Sequence, residues 1–471
     1  RRQVSQVWAM FGDEAETVLS QNPWALVKID GITFAQADEV AGRIGLSLSL
    51  SNPFRIEGAV RFVIKTRKGL GHLYLVSGEI FAEVGVLLGD VSQVAVALAV
   101  ASLYKQKQIV IDGKTRPGVK AIYEPWLHQI ESVAARMLLE RRRTASLLRD
   151  VDILAAYVAA LGNGGSHSAD VARANPHGVQ ETATAALLDW SLGSKINLSG
   201  KQLEGVVHAL VEPVSIVTGL PGTGKSTLLK AVVSILKDAG VSFLLVAPTG
   251  IAAKRITSVS GAPAATIHRA FGAKGWNTGE ERTATYVGIT GQSQGNLEGS
   301  DGSGEMWGCS EVPHAADVVI IDEASMVDQH LIYRVLSCTK PTTRLVFIGD
   351  AQQLPSVGPG NVLRDLIASQ IFPMVALTEI YRQADTSDIV VAAHAISRGD
   401  VPVTRDDAGA EFMLIHARSE EQVLEQVLAQ SKMLYQARVN FQVMSPRHSG
   451  TVGVTNINAR LRDVINPKRS G

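Results

Sequence analysis

Two rhythms of apolar residues divide the chain. In its first hundred or so residues the apolar positions recur at helical spacing between tight turns. In FAQADEVAGRIGL, Phe34, Ala37, Val40, Ala41 and Ile44 share one helix face, and Asp30-Gly31 just before them signals a turn. From Val91 to about Arg143 the pattern is mixed, with helical stretches around a strand-like KQIVIDG. LGNGGSHSAD, Leu161 to Asp170, has the Gly/Ser-rich, polar composition of a linker or exposed loop. Between Ser215 and Asp350 the rhythm changes. Short, continuous apolar runs (SIVTG, SFLLVAP, DVVIIDE, RLVFIGD) alternate with helical patterns, which predicts a parallel α/β sheet buried on both faces. One Gly/Ser/Thr-rich interruption, Ala273 to Gly308, reads as an exposed hairpin or a disordered insertion.

Composition changes this picture little. A chain of 471 residues accommodates two to four domains and a sizeable core. Its 45 basic and 45 acidic residues balance, which neither demands nor excludes a nucleic-acid partner, because footprints are set by local patches. The two cysteines, Cys309 and Cys338, show neither metal-ligand spacing nor a disulfide framework. They suit a reducing compartment, so a cytoplasmic location is expected. No apolar run reaches membrane-spanning length, and RRQVSQVWAM at the N-terminus has no apolar signal core, so no membrane association is expected. The first residue is not Met, and both ends are expected to be cut rather than natural.

Candidate chemistry gathers at the ends of the predicted strands. GLPGTGKST, Gly219 to Thr227, fits the phosphate-loop pattern G-x-x-x-x-G-K-[ST] between a strand and a helix. Gly219, Pro221, Gly222, Thr223, Gly224, Ser226 and Thr227 would wrap a nucleotide's phosphates, all but Pro221 with a backbone N–H to offer, helped by the positive end of the following helix. Lys225 would reach the β- and γ-phosphates, and Ser226 would offer its hydroxyl to Mg²⁺. ADVVIIDEASMVD delivers Asp322 and Glu323 to the carboxyl edge of the same sheet, where ligands bind in open α/β folds. Asp322 would hold Mg²⁺, while Glu323 would orient or deprotonate an attacking water. RLVFIGD ends at that edge too, so Gln352 or Gln353 just after it could face a γ-phosphate; an amide donates to phosphate oxygen and accepts from water.

Taken in order, these stretches resemble the RecD-like helicases of superfamily 1, in the branch that moves 5′-to-3′ on single-stranded DNA. GLPGTGKST is similar to motif I, APTGIAAKR to motif Ia, ATIHRAFG to the Thr-His element, and DEASMVD to motif II. GDAQQLPSVGPGNVLRDL resembles motif III, LTEIYRQ motif IV, and VMSPRHSGTVGVTNINARLRDVINP the stretch before the late motifs. The resemblance implies a RecA-like P-loop NTPase motor of α/β class. A mainly helical N-terminal region containing a helix-hairpin-helix precedes it, carried by NPWALVKIDGITFAQADEVAGRIGL.

That likeness also assigns residues. Gln353 matches the γ-phosphate-sensing glutamine, Gln202 in LSGKQLEGVVHAL the adenine-reading glutamine, and Arg382 in YRQ an arginine that crosses to the γ-phosphate. Pro248, Thr249, Thr266 and His268 match contacts along the DNA channel. In the helix-hairpin-helix, the usual Gly-Ile-Gly turn reads Gly31-Ile32-Thr33, which predicts a loss of backbone freedom there. Trp276 and Trp307 flank the insertion that stands where the family carries a duplex-splitting pin, and either stack on bases or pack the hairpin base. Expected domains are a helical region 1–90, a small mixed winged-helix-like region 91–145, a linker 146–195 and a first motor domain 196–365 with its pin-like insertion 273–316. A truncated second motor domain 366–471 would follow. The family's late motifs and N-terminal domain are expected beyond the two ends.

The activity implied is ATP- and Mg²⁺-dependent translocation and unwinding of DNA by a monomeric motor working on single-stranded and duplex DNA, in repair or recombination. Two alternatives remain open at this point: the helicase portion of a conjugative relaxase, and a nucleotide-gated DNA-binding module without unwinding.

Overall fold

A computed structural model describes residues 2–113, 119–147, 196–271, 273–275, 305–307, 314–379, 387–404 and 410–465. The chain divides into two compact units, Arg1–Arg382 and Gln383–Gly471.

The first unit opens with α1 (Arg2–Phe11), α2 (Ala15–Gln21), a 3-10 segment (Pro23–Lys28), α3 (Phe34–Arg43) and α4 (Pro53–Gly69). Helix α3 starts at a capping box: the Gln36 N–H donates to Thr33 Oγ1 at 3.3 Å, and the Thr33 N–H donates to Gln36 Oε1 at 2.9 Å. Thr33 is extended at φ −85°, and only Gly31 needs the left-handed region, at φ +80°. The missing second glycine therefore removes no freedom that this turn uses. Trp24 is fully buried and donates its indole N–H to Asp38 Oδ1 at 2.7 Å. Arg55 donates to the same carboxylate through Nε at 2.9 Å and Nη2 at 2.8 Å. Burial pushes the Asp38 carboxyl up, but the bonds from Arg55 and Trp24 outweigh it and hold the group below its ordinary value. Gly58 lets α4 lie against this tryptophan, since a Cβ there would stand 2.6 Å from the Trp24 Cβ.

The chain continues through β1 (Tyr74–Val76), α5 (Ser77–Leu88), α6 (Gln93–Lys105), β2 (Val110–Asp112) and β3 (Ala121–Tyr123). The three strands form an antiparallel sheet in the order β1-β3-β2. One apolar core runs from Trp24 through Val100 and Leu103 to Ile122, across the division expected at residue 90.

Helix α7 (Pro125–Leu147) leads to the motor: α8 (Gly200–Val211), β4 (Val214–Gly219), α9 (Lys225–Asp238), β5 (Phe243–Ala247), α10 (Gly250–Ser260), β6 (Ala264–Thr266) and α11 (Ile267–Ala270). It proceeds through β7 (Ala273–Gly275), β8 (Glu305–Trp307), β9 (Val318–Ile321), α12 (Gln329–Ser337), β10 (Arg344–Gly349), α13 (Val362–Ser369) and β11 (Met374–Leu377). Six of these strands make one parallel sheet in the order β11-β4-β10-β9-β5-β6. Strand residues alternate between two apolar layers. Val217, Val318, Ile320, Val346 and Ile348 face the layer of α8, α9 and α10, while Ile216, Val319, Ile321, Leu345 and Phe347 face that of α7, α12 and α13. The parallel sheet read from the sequence is present, as an α/β/α sandwich.

Two boundaries move. β11 pairs with β4, so the first motor sheet extends to Leu377 rather than ending at 365; the short run MVAL is a strand because β4 would otherwise expose an unpaired edge. Helix α7 belongs to the motor's core, through Leu127, Ile130, Ala134 and Leu138. Its Arg141 is 2% exposed and caps the end of α12. Nη1 donates to the carbonyl oxygens of Lys340 and Thr343, and Nη2 to those of Leu336 and Thr339 and to Thr339 Oγ1 at 2.7 Å. Burial brings this guanidinium down to about 10.

Within the insertion expected at 273–316, β7 and β8 pair antiparallel, Ala273 with Trp307 and Gly275 with Glu305. Trp276 and the body of the insertion lie outside the described residues. Cys338 is disulfide-bonded, which overturns the reading that the cysteines form no disulfide; its partner also lies outside the described residues. The second unit carries α14 (Asp388–Arg398), α15 (Glu420–Gln436) and α16 (Val454–Ile465), and α15 packs on α16. Among its described residues there is no paired strand, because the extended stretches there find no ladder partner. No single helix among the described residues is long and apolar enough to cross a membrane.

Candidate active site

The sheet order determines what meets at its carboxyl edge. β10 lies between β4 and β9, so the loop after β10, with Gln352 and Gln353, emerges between the phosphate loop and the acidic pair. Pro248 and Thr249 follow β5, and Thr266 ends β6, at the same edge of the neighbouring strands.

The phosphate loop is built as its glycines require. Gly222 and Gly224 both sit at φ +87°, in the left-handed region. A Cβ on Gly219 would meet Thr223 Oγ1 at 2.6 Å and the Leu377 carbonyl at 2.8 Å, so β4 and β11 approach too closely for any side chain. Thr223 Oγ1 donates to the Leu220 carbonyl at 2.8 Å and draws the loop closed. Lys225 begins α9 and turns back over the loop, donating from Nζ to the Gly219 carbonyl at 2.5 Å and the Leu220 carbonyl at 3.0 Å. Burial lowers its pKa, against the attraction of Asp350, Glu323 and Asp322. Ser226 and Thr227 follow in the first turn of α9.

Asp322 stands at the end of β9, where burial pushes its carboxyl up to about 6; the Glu323 charge adds to this, and the Glu323 N–H, Arg255 and Lys225 oppose it. A carboxylate held in this way favours a cation. Among the described residues no cluster of three or more His, Cys, Asp or Glu could hold a metal. The donors present, Asp322 and the Ser226 hydroxyl, fit Mg²⁺, which takes few protein ligands and completes its shell with phosphate and water. Glu323 adopts φ +52° and ψ +42°, left-handed for a non-glycine residue. Its Oε1 lies 3.7 Å from Arg255 Nη1, on α10.

The loop after β10 is fixed at both ends and open in the middle. Asp350 is buried, and its Oδ1 accepts from the Gln352 N–H at 2.9 Å, while its carbonyl accepts from the Gln353 N–H at 3.2 Å. Both glutamine side chains are exposed. Further along, Ser356 Oγ donates to the Gly360 carbonyl at 2.7 Å, and the Gly360 N–H donates to the Gly71 carbonyl at 2.9 Å, tying the loop to the turn after α4.

The remaining expected residues divide. Gln202 is buried in a capping box with Ser199, where its Oε1 accepts from the Ser199 N–H at 2.9 Å and its Nε2 reaches the Gly224 carbonyl at 3.4 Å. Both ends of that amide are engaged within the protein. Thr249 caps α10, accepting from the Ala252 N–H at 3.2 Å, and Thr266 caps α11, accepting from the Arg269 N–H at 3.1 Å. Pro248 and His268 are half-buried beside these caps. Arg382 lies outside the described residues. Sequence reasoning misses Arg255 and Asp350, although both stand inside the quoted motifs.

A phosphate loop and an acidic strand end on one parallel sheet define a P-loop nucleotide-binding domain of RecA-like class. A family model described as an AAA domain matches residues 197–422, and one described as the ATP-dependent RecD2 DNA helicase HHH domain matches residues 1–74. The "ATP-dependent RecD2 DNA helicase" of Deinococcus radiodurans is 28% identical over 480 residues, covering 98% of this chain and 56% of that protein. The "RecBCD enzyme subunit RecD" of Haemophilus influenzae is 32% identical over 177 residues, covering 35% of this chain and 26% of that one. A crystal structure of Pif1 helicase from Candida albicans covers 53% of this chain and 56% of its own at 22% identity, with a TM-score of 0.33, too low for the likeness to carry weight. The chain is thus similar to RecD-like helicases along nearly its whole length, and it spans about half the length of the Deinococcus relative.

Proposed function

We propose that the chain is the ATP-hydrolysing part of a DNA helicase that translocates 5′-to-3′ on single-stranded DNA and unwinds duplex, in repair or recombination. The observation that carries this reading is the β4-β10-β9 arrangement, with phosphate loop, glutamine loop and acidic pair side by side. In this reading ATP displaces the Gly219 and Leu220 carbonyls as partners of Lys225, which then holds the β- and γ-phosphates. Asp322 and Ser226 would hold Mg²⁺, which when bound neutralises charge on the phosphates. Glu323 accepts a proton from the water whose oxygen attacks the γ-phosphorus, as the bond to the β-phosphate oxygen breaks and ADP leaves. Gln353 donates to the γ-phosphate and accepts from that water. Arg382 meets the developing charge.

Gln202 orients the loop through Gly224 and, where its cap opens, reads the adenine edge. Pro248, Thr249, Thr266 and His268 line the path of a single strand gripped by its phosphates. The test is strand displacement on duplexes tailed at one end. Unwinding of 5′-tailed and not 3′-tailed substrate, dependent on ATP and Mg²⁺, is expected. ATP-independent melting, or unwinding only from a 3′ tail, would refute the reading.

A further inference from the structure

Among the described residues around the site, Arg255 is an exposed charged side chain that the proposed chemistry leaves unused. It lies on α10, whose buried face is Ala252, Ala253 and Ile256, and whose opposite face carries Ile251, Lys254 and Arg255 at helical spacing. The Thr249 cap anchors that helix at the end proposed to meet DNA. From this exposed face the Arg255 guanidinium reaches back to Glu323, with Nη1 3.7 Å from Oε1. Its side chain is 63% exposed and that of Glu323 23%, so one partner faces solvent while the other belongs to the nucleotide site. Glu323 itself is held in a left-handed backbone conformation. The positive charge of Arg255 is also felt by Asp322 and Lys225.

Resting on the proposed reading of the site, we infer that Arg255 is a positioning residue that latches Glu323 when no nucleic acid is bound, and that a phosphodiester of single-stranded DNA releases the latch by taking the guanidinium. A carboxylate drawn toward α10 by this ion pair is not free to turn to the water. An exposed ion pair at this separation is weak, so a phosphate can outcompete it. The planar guanidinium fork matches phosphate oxygens and can bind them bidentately, which makes the exchange favourable. Occupation of α10 by DNA is thereby linked to the readiness of the base through one side chain.

The test measures ATP turnover by the full chain as wild type, Arg255→Ala and Arg255→Lys, with and without an oligothymidylate at low salt. Arg255→Ala is expected to raise DNA-free kcat by about two- to fivefold, the range a weak ion pair supplies. It should cut the DNA stimulation factor correspondingly and leave the KM for ATP unchanged. Arg255→Lys retains the charge, so its DNA-free rate should stay near wild type. Structural damage lowers turnover and does not produce this rise. Stimulated wild-type turnover with an unchanged DNA-free rate in Arg255→Ala would overturn the latch alone. A lower rate with a raised KM would make Arg255 a ligand of the nucleotide and overturn it equally. Wild-type turnover indifferent to DNA would overturn the functional reading and the latch with it.

Discussion

Two buried charges in the motor domain have opposite surroundings. Arg141 sits at the end of α12 with both terminal nitrogens facing carbonyl or hydroxyl oxygens, and only its Nε lacks a partner. Asp322 sits at the end of β9 with its carboxyl pushed up to about 6 by burial, which the Glu323 N–H and the charges of Arg255 and Lys225 only partly offset. The first charge completes a helix terminus and fastens α7 to the sheet. The second is under-compensated, the condition in which a cation or a proton is welcome. A buried charge that the fold satisfies reads as structure; one that the fold leaves wanting reads as function.

The structural charge offers the largest effect on stability. Arg141→Ala should destabilise the first unit by about 3–5 kcal/mol, because the acceptors at the end of α12 lose their donors inside the core. Chemical denaturation measures this, and a loss below about 1 kcal/mol would deny the clamp. On the functional side, Lys225→Ala should lower turnover by about 10²–10³-fold or more while leaving the denaturation midpoint near wild type. Normal turnover in that variant would remove the phosphate loop from the chemistry.

The two charges also differ in how pH acts on them. The folded Asp322 carboxyl is raised above its ordinary 3.8 to about 6. The stability this preference gives is fully present below the unfolded value and is lost as pH rises through about 6. Without divalent cations at neutral pH, Asp322→Asn should therefore be more stable than wild type, by up to about 3 kcal/mol. The gain should disappear on acidification toward pH 4. A variant destabilised at neutral pH would place Asp322 with Arg141 among the satisfied charges. Smallest is the cap of α3, where Thr33→Ala should lower stability by about 1 kcal/mol. A change of a few tenths would show the threonine to be incidental to the turn.

The nucleotide edge is legible in the sequence because its chemistry is local. A phosphate loop needs its glycines within a few residues, and an apolar run ending in Asp-Glu locates its own carboxylates. Arg141 cannot be read the same way, since its acceptors lie 195 to 202 residues further along and no spacing announces them. Gln202 carries a second signal besides its motif match: Ser199-x-x-Gln202 is a capping-box pattern, as is Thr33-x-x-Gln36, and both form. Apolar spacing shows α7 as a helix but not which core receives it; packing makes that choice. MVAL gives no separate notice of β11, whose place depends on the free edge of β4. Arg255 stands in plain view within APTGIAAKR, but its partner is contributed by a different strand.

Whether this edge hydrolyses ATP in response to DNA is decided by turnover of the chain with and without single-stranded DNA at low salt, with Lys225→Ala as the control. Mg²⁺-dependent turnover is expected that single-stranded DNA stimulates, that rising salt suppresses as phosphate contacts are screened, and that the variant lacks. Turnover unaffected by DNA, or retained without Lys225, would contradict it.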